Sequence, residues 1–332
     1  MRNILCVTLI ALLGGCTSTS VTEKYQDKRN DIINVKDKVI EFETGNVLIG
    51  SVSRLYMSNK CLLIADHKSV DKQIHIFNKN DFSYLTSIGN FGEGPEEITV
   101  MGCLAIDEAH HQLYVSDHAK QKIFSYDMDS VMVDSLYKPQ VKTAMNETLF
   151  PSEYQYINDT LSIAVLIKPT STSTFNQFLG RWNMNTGEMI PMKYTHPDIQ
   201  KKRITFAASE KAGIYVECYT RHDLMTICSL DGELLYNIYG PDWDGGNGNK
   251  LQSFGTVMIG NDKIFVSYCG EDYARDSFPT KILVFDFEGN YLKTLETEYK
   301  ISDCCYDSFN NRIILSLNDV VQFAYLDIDG II

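Results

Sequence analysis

Apolar positions along this chain fall into short runs that repeat, rather than into helical stripes. The runs are Leu62-Leu63-Ile64-Ala65-Asp66, Leu113-Tyr114-Val115-Ser116-Asp117, Leu161-Ser162-Ile163-Ala164-Val165, Ile214-Tyr215-Val216-Glu217-Cys218, Ile264-Phe265-Val266-Ser267-Tyr268 and Ile313-Ile314-Leu315-Ser316-Leu317. Their first residues are 62, 113, 161, 214, 264 and 313, giving steps of 51, 48, 53, 50 and 49. Runs of this length and composition predict strands, and their even spacing predicts a repeat fold. A second marker keeps the same phase. Each run is followed by a strand ending in a large apolar residue and then Asp or Asn: Phe77-Asn78, Tyr126-Asp127, Trp182-Asn183, Leu230-Asp231, Phe285-Asp286 and Leu326-Asp327. Glycine follows at Gly187, Gly232, Gly289 and Gly330. Asp and Asn side chains bond turn backbone and Gly accepts positive φ, so each marker reads as a hairpin turn.

Each unit also has a strand before its run, such as 53–57, 103–106, 256–259 and 302–306. In five units a further strand follows the marker, at 84–88, 132–137, 189–194, 234–239 and 291–295. Four antiparallel strands in about 50 residues make a propeller blade. The sixth unit ends at the Asp329-Gly330 turn without an outer strand, and the β-prone segment Lys38-Val39-Ile40-Glu41-Phe42 stands unpaired before the first unit. The expected fold is therefore all-β: a six-bladed propeller of four-stranded antiparallel blades over residues 36–332. The N-terminal strand completes the last blade and leaves no open edge there.

Composition narrows the function. With 44% hydrophobic and 22% charged residues the chain is globular, and a net charge of −13 without a basic cluster argues against nucleic acid as a partner. The first residues stand apart. Arg2 is followed by the apolar run Ile4 to Leu13 and then Leu13-Gly14-Gly15-Cys16. That run is too short to span a bilayer and has the shape of an export signal. Its end resembles the lipobox of bacterial lipoproteins, which implies cleavage after Gly15 and lipidation of the Cys16 thiol. Residues 1–15 then form a signal peptide, and residues 16–35 a lipidated polar tether with no apolar period, read as a flexible leash. The implied address is the cell envelope, as an outer-membrane lipoprotein attached through the lipid at Cys16. Thr17 to Ser20 lacks the acidic residues that accompany surface export in some Bacteroidetes lipoproteins, which leaves periplasmic and surface-facing orientations both open.

Seven cysteines remain after Cys6 and Cys16, an odd number without CxxC spacing, so most read as small buried hydrophobes. Cys218 and Cys228 flank a hairpin and are the candidate disulfide if they lie opposite each other. The adjacent Cys304 and Cys305 should alternate between faces of an inner strand.

Taken with the repeat and the lipobox, Gly89-Asn90-Phe91-Gly92-Glu93-Gly94-Pro95-Glu96-Glu97 resembles a segment frequent in the six-bladed propeller lipoproteins of Bacteroidetes, described as TolB-like or NHL-repeat-like. Glu96 stands where that segment has its second motif glycine. The resemblance covers the whole mature chain and implies the fold and the address more than an activity.

In such a fold, the loops joining second to third strands and blade to blade share one face around the central channel, where ligands bind. Asp66-His67 and Asp117-His118 occupy equivalent positions there, either as ligand groups or as a repeat-encoded turn. Trp243, in the loop from Gly240 to Asn249, can present a ring to a sugar or peptide, and its carboxylates Asp242 and Asp244 raise calcium as a candidate cofactor although the spacing departs from an EF-hand. Tyr273 and Arg275 can anchor a polar ligand. His110-His111 falls on the opposite face and reads as surface. No GxSxG, HExxH or phosphate-cradling glycine loop occurs. The expectation is a non-enzymatic binding or scaffold module for a peptide, protein or glycan. The competing reading is a metal-dependent propeller hydrolase or lyase acting on a lactone or carbohydrate, for which only Asp107 and Asp303 stand out on inner strands.

Overall fold

The computed structural model describes residues 22–332 apart from 135, 172, 200, 201, 248, 249 and 276. Cys16, the signal peptide and the start of the tether lie outside the described residues. Six antiparallel sheets are arranged in chain order around a central channel. Their inner strands are Ser53–Met57, Met101–Asp107, Phe150–Asn158, Ile204–Ser209, Leu251–Ile259 and Ile301–Asp307, here blades one to six. Each blade's second strand is one of the six apolar runs. The strand Cys61–Asp66 is buried at every residue, because neighbouring blades cover both of its faces, and this is why the runs are continuous instead of alternating. One apolar cluster fills each of the six gaps between adjacent blades. The residues before the hairpin turns sit there: Phe77, Tyr126, Trp182, Phe285 and Leu326 are buried and Leu230 is half-buried.

The last blade closes as its sequence predicts. A strand at Val39–Glu41 pairs antiparallel with Phe323–Asp327, in the register Val39 to Leu326 and Glu41 to Ala324. Three other expectations are corrected.

In blade two, the segment expected as outer strand at 132–137 begins as a short helix, α1, Met128–Val133. Asp127 caps it by accepting from the Ser130 N–H, and Val131 is buried. The outer strand follows at Gln140–Ala144.

The leash expected over 16–35 is not a leash from Thr22 onward. Strand β1, Glu23–Tyr25, pairs parallel with the outer strand of blade four, Leu234–Tyr239. Strand β2, Ile32–Asn34, pairs parallel with the outer strand of blade five, Tyr291–Glu296. The blade-six strand Val39–Glu41 is then β3. Between β1 and β2, Arg29 reaches inward to Asp223, Nη1 to Oδ1 2.8 Å, with both side chains buried. The guanidinium lies among the rings of Phe254, Tyr268 and Phe285. Backbone pairing and a buried ion pair hold a segment that has no apolar stripe of its own.

Cys218 and Cys228 do not form a disulfide. Both are free and buried, and the hairpin register sets Cys218 against Met225 and Cys228 against Tyr215. An offset of three residues places them on opposite faces, so Cys218 packs between blades four and five and Cys228 between three and four. Cys304 and Cys305 likewise point to opposite faces, as their adjacency requires.

Candidate functional site

All six inner strands line a channel cavity of about 370 Å³. Strand alternation sends successive side chains toward the two neighbouring blades, and because the inner strand forms the edge of its blade, polar side chains on it also border the channel. Blade one supplies Arg54, blade three Glu153, blade four Thr205, blade five Thr256 and blade six Asp303. Arg54 donates to Glu153 across the opening, Nη1 to Oε1 2.8 Å, with both side chains half-exposed. Asp303 is buried and accepts from the Leu55 N–H and the Thr256 hydroxyl, each at 2.7 Å. Burial pushes its carboxyl up, opposed by the Arg54 charge and these two donors. Burial also pushes the neighbouring Cys103 thiol up to about 12, so the channel holds a thiol and not a thiolate.

Glu153 also borders a second cavity, about 260 Å³, on the top face between blades three and four. Ser152, Gln177, Arg203 and Thr220 supply its polar lining. The carboxylate of Glu153 thus joins two recesses into one polar opening.

The two Asp-His pairs lie beside this opening without lining either cavity, and they have divided roles. Asp66 accepts from the N–H groups of Gly50 and Lys68, and Asp117 from those of Thr99, Val100, Ala119 and Lys120. Each aspartate ties its turn to the loop that enters the same blade's inner strand, as a repeat-encoded cap. The histidine rings are half-buried, and Nε2 of both His67 and His118 is buried without a hydrogen-bond partner. Burial pushes the His67 pKa down, and the Arg54 charge lowers it further against Asp66 and Glu153. Burial also lowers His118, whose ring packs against Phe150 and whose Nε2 fills the space beside Gly102 where a Cβ would sit. Two imidazoles thus lie beside the ion pair, each with a buried Nε2 that no protein group satisfies.

The remaining candidates lie elsewhere. Trp243 is half-buried against Tyr239, His196 and His222, with ring centroids 5.0, 5.6 and 5.9 Å away, and it forms part of the packing between blades three and four. The Asp242 carboxylate accepts from the Tyr268 hydroxyl at 3.5 Å, and the Asp244 carboxylate faces His222 at 3.6 Å, so the two carboxylates of this loop are engaged separately. Tyr273 and Arg275 form a single 3-10 turn on blade five, where Arg221 covers the Tyr273 ring and Arg275 pairs with Glu271.

In the glycine-rich segment after blade one, Glu97 folds beneath the turn, accepts from the Gly94 N–H and occupies the space a Cβ at Gly92 would need. Lys120 donates to the Gly94 and Glu97 carbonyls. The segment is a braced turn next to the Asp117 cap.

Sequence reasoning missed Arg54 and Glu153, which are isolated charges in otherwise ordinary strands. His110, read as surface, is exposed. Asp107, His110 and Asp159 form, among the described residues, the one group of three metal-type side chains whose donor atoms lie within 4.8 Å of one another. They sit on the face opposite the opening. Burial of Asp107 opposes its ionisation, but the hydrogen bonds from His110 outweigh that and hold the carboxyl below its usual range. The same turn recurs in blade six, where Asp307 accepts from Asn310 and Arg312, so a structural reason for Asp107 exists without an ion.

Residues 17–176 match a family described as DUF5128, a 6-bladed beta-propeller. Among solved structures, a protein described as exported, from Bacteroides fragilis, is similar over 89% of this chain and 88% of its own, with a TM-score of 0.58 and 13% identity. A member of the DUF4221 family from Bacteroides vulgatus covers 90% and 98%, with a TM-score of 0.61 and 12% identity. A luciferin-regenerating enzyme covers 86% and 93%, with a TM-score of 0.56 and 8% identity. At these identities the likeness is one of fold. No curated protein matches the chain.

Proposed function

We propose that this protein is a cell-envelope binding module, held at the outer membrane through a lipid on Cys16, which recognises a peptide, protein or glycan at the channel opening of its top face. The observation that carries the reading is the half-exposed Arg54–Glu153 pair, whose Glu153 borders both cavities. An ion pair with both members half-exposed can exchange its bond for one to a ligand without burying a lone charge, and the adjoining recesses give an extended polar ligand room. Fold alone does not choose between binding and catalysis in propellers.

The test is a thermal-shift screen of the chain from Thr17, with the strap of residues 22–35 included because it is part of the folded body. Peptides and glycans are screened, with calcium and chelator arms. A ligand at a hundred times its dissociation constant adds about 2.7 kcal/mol. The expected result is a shift with one ligand class that disappears in Glu153→Gln. A shift that survives in Glu153→Gln and in His118→Ala places the site elsewhere. A midpoint that depends on the chelator instead, and loses that dependence in His110→Ala, replaces this reading with the metal-dependent one, for which Asp107, His110 and Asp159 are the donors within reach.

A further inference from the structure

We propose that the strap of residues 22–35 sets how the propeller stands on the bilayer: the outer rim of blade four is the part nearest the lipid surface, and the top of blade one, with the channel opening, points away from it. This rests on the lipid at Cys16 and adds an orientation to it.

The argument is one of reach. Thr22 is six residue steps from Cys16, and an extended chain covers at most about 3.5 Å per step, so the lipid-bearing residue lies within about 20 Å of the point where the strap joins blade four. That point is fixed. The Thr22 carbonyl accepts from the Asn237 N–H, the Gln26 N–H donates to the Tyr239 carbonyl, and the Glu23 carboxylate bonds both the Asn237 amide and the Tyr239 hydroxyl. Further along, Arg29 is buried against Asp223, and Val35 is wholly buried between blades five and six. A free tether of the same 20 residues would extend about 70 Å and allow any orientation.

The direction of entry supplies the rest. Strand β1 joins blade four at the middle of its outer strand and runs with it, from the lower turns toward the top face. The start of the described strap, at Thr22, therefore faces the lower side. Six blades in ring order set blade one opposite blade four, and the groups of the opening come from blades one to three: Arg54 and His67, His118, and Glu153.

The experiment uses the full lipidated chain in vesicles containing headgroup-quencher lipids. A fluorophore is attached at one introduced cysteine: Lys211→Cys on the lower turn of blade four, Lys250→Cys on the top face between blades four and five, or Val70→Cys on the top of blade one. These positions are exposed, whereas the seven native thiols in the described residues are buried and do not compete for label. The expected order of quenching is Lys211→Cys, then Lys250→Cys, with Val70→Cys unquenched. Equal quenching at the three sites, or strongest quenching at Val70→Cys, overturns the proposal. Inserting twelve Gly and Ser residues between Ser20 and Val21 leaves the strap and the ring untouched and should erase the order; an order that survives the insertion also overturns it. The mass of the N-terminal peptide, compared with Cys16→Ser, tests the anchor separately. An unmodified Cys16 removes the anchor reading, whereas a modified Cys16 with flat quenching removes the orientation alone.

Discussion

The N-terminal segment attaches to the ring in two physically different ways. Strand β3 completes a blade that would otherwise have three strands, and the residue after it, Phe42, enters the apolar seam between blades six and one, stacked on Phe82 at 3.9 Å and near Phe323 at 5.9 Å. Strands β1 and β2 add a fifth strand to blades that are already complete. They are held by polar groups: Glu23 on Tyr239, Arg29 on Asp223, Lys36 on Glu298. The closure the ring requires is apolar and non-directional, whereas the strap is directional, and one wrong atom removes its hold. Bound strap and closed ring should therefore be separable by mutation.

The largest effect should come from Arg29→Ala. It leaves the Asp223 carboxylate buried without its cation, a loss of about 4 kcal/mol by analogy with other broken buried pairs. Urea unfolding reads the loss, and proteolysis should cut near β1 before the ring opens. Arg29→Met with Asp223→Leu should restore most of the stability, because the pair's own desolvation cost goes with it. If Arg29→Ala unfolds at the wild-type midpoint, the ion pair does not hold the strap.

Phe42→Ala should cost about 3 kcal/mol through the cavity between blades six and one. Unlike Arg29→Ala, it should lower the single unfolding transition of the ring without first exposing the strap to protease. Early cleavage near β1 in this variant would contradict the division.

Acidification comes third. Burial lowers the pKa of His67, His75, His118, His196 and His222, so below pH 6.5 the unfolded chain takes up protons that the folded one refuses. Their contribution is complete above pH 6.5 and is lost as pH falls from there through the folded values. His110, raised by its bonds to Asp107, and the Asp223 and Asp303 carboxyls, raised by burial, act in the opposite direction, but they are three groups against five. The thermal midpoint should therefore fall between pH 7 and pH 5, and a midpoint that rises over this range would show the burial of these rings to be misjudged.

The smallest effect should be that of Lys36→Ala. Lys36 and Glu298 are both well exposed, and such pairs add little. No change in the urea midpoint is expected.

The same contrast explains what the sequence revealed. The blades are legible because their second strands are buried on both faces and so appear as uninterrupted apolar runs. Strand β3 is legible because Val39, Ile40 and Phe42 carry β-prone apolar side chains next to a blade that lacks a strand. Strands β1 and β2 are three residues each, with burial at neither end, and Arg29 finds its partner 194 positions away. No local pattern encodes such a bond. Arg54 and Glu153 are equally silent alone, and only superposing the inner strands in register reveals that these positions and Asp303 look into one channel. The Cys218–Cys228 expectation failed for a related reason: flanking one turn does not determine register, and an offset of three residues reverses the face.

The two tryptophans divide the molecule optically. Trp182 is sealed between blades two and three, edge-on to Tyr154 at 5.0 Å. Trp243 rests on Tyr239, on which the Tyr25 ring of β1 is also stacked, at 4.5 Å. Emission from the buried indole follows the ring, while emission from the half-buried one follows the edge of blade four where β1 is seated. The unlabelled chain thus carries two native lamps, and a red shift confined to Trp243 would signal strap release in a propeller still whole.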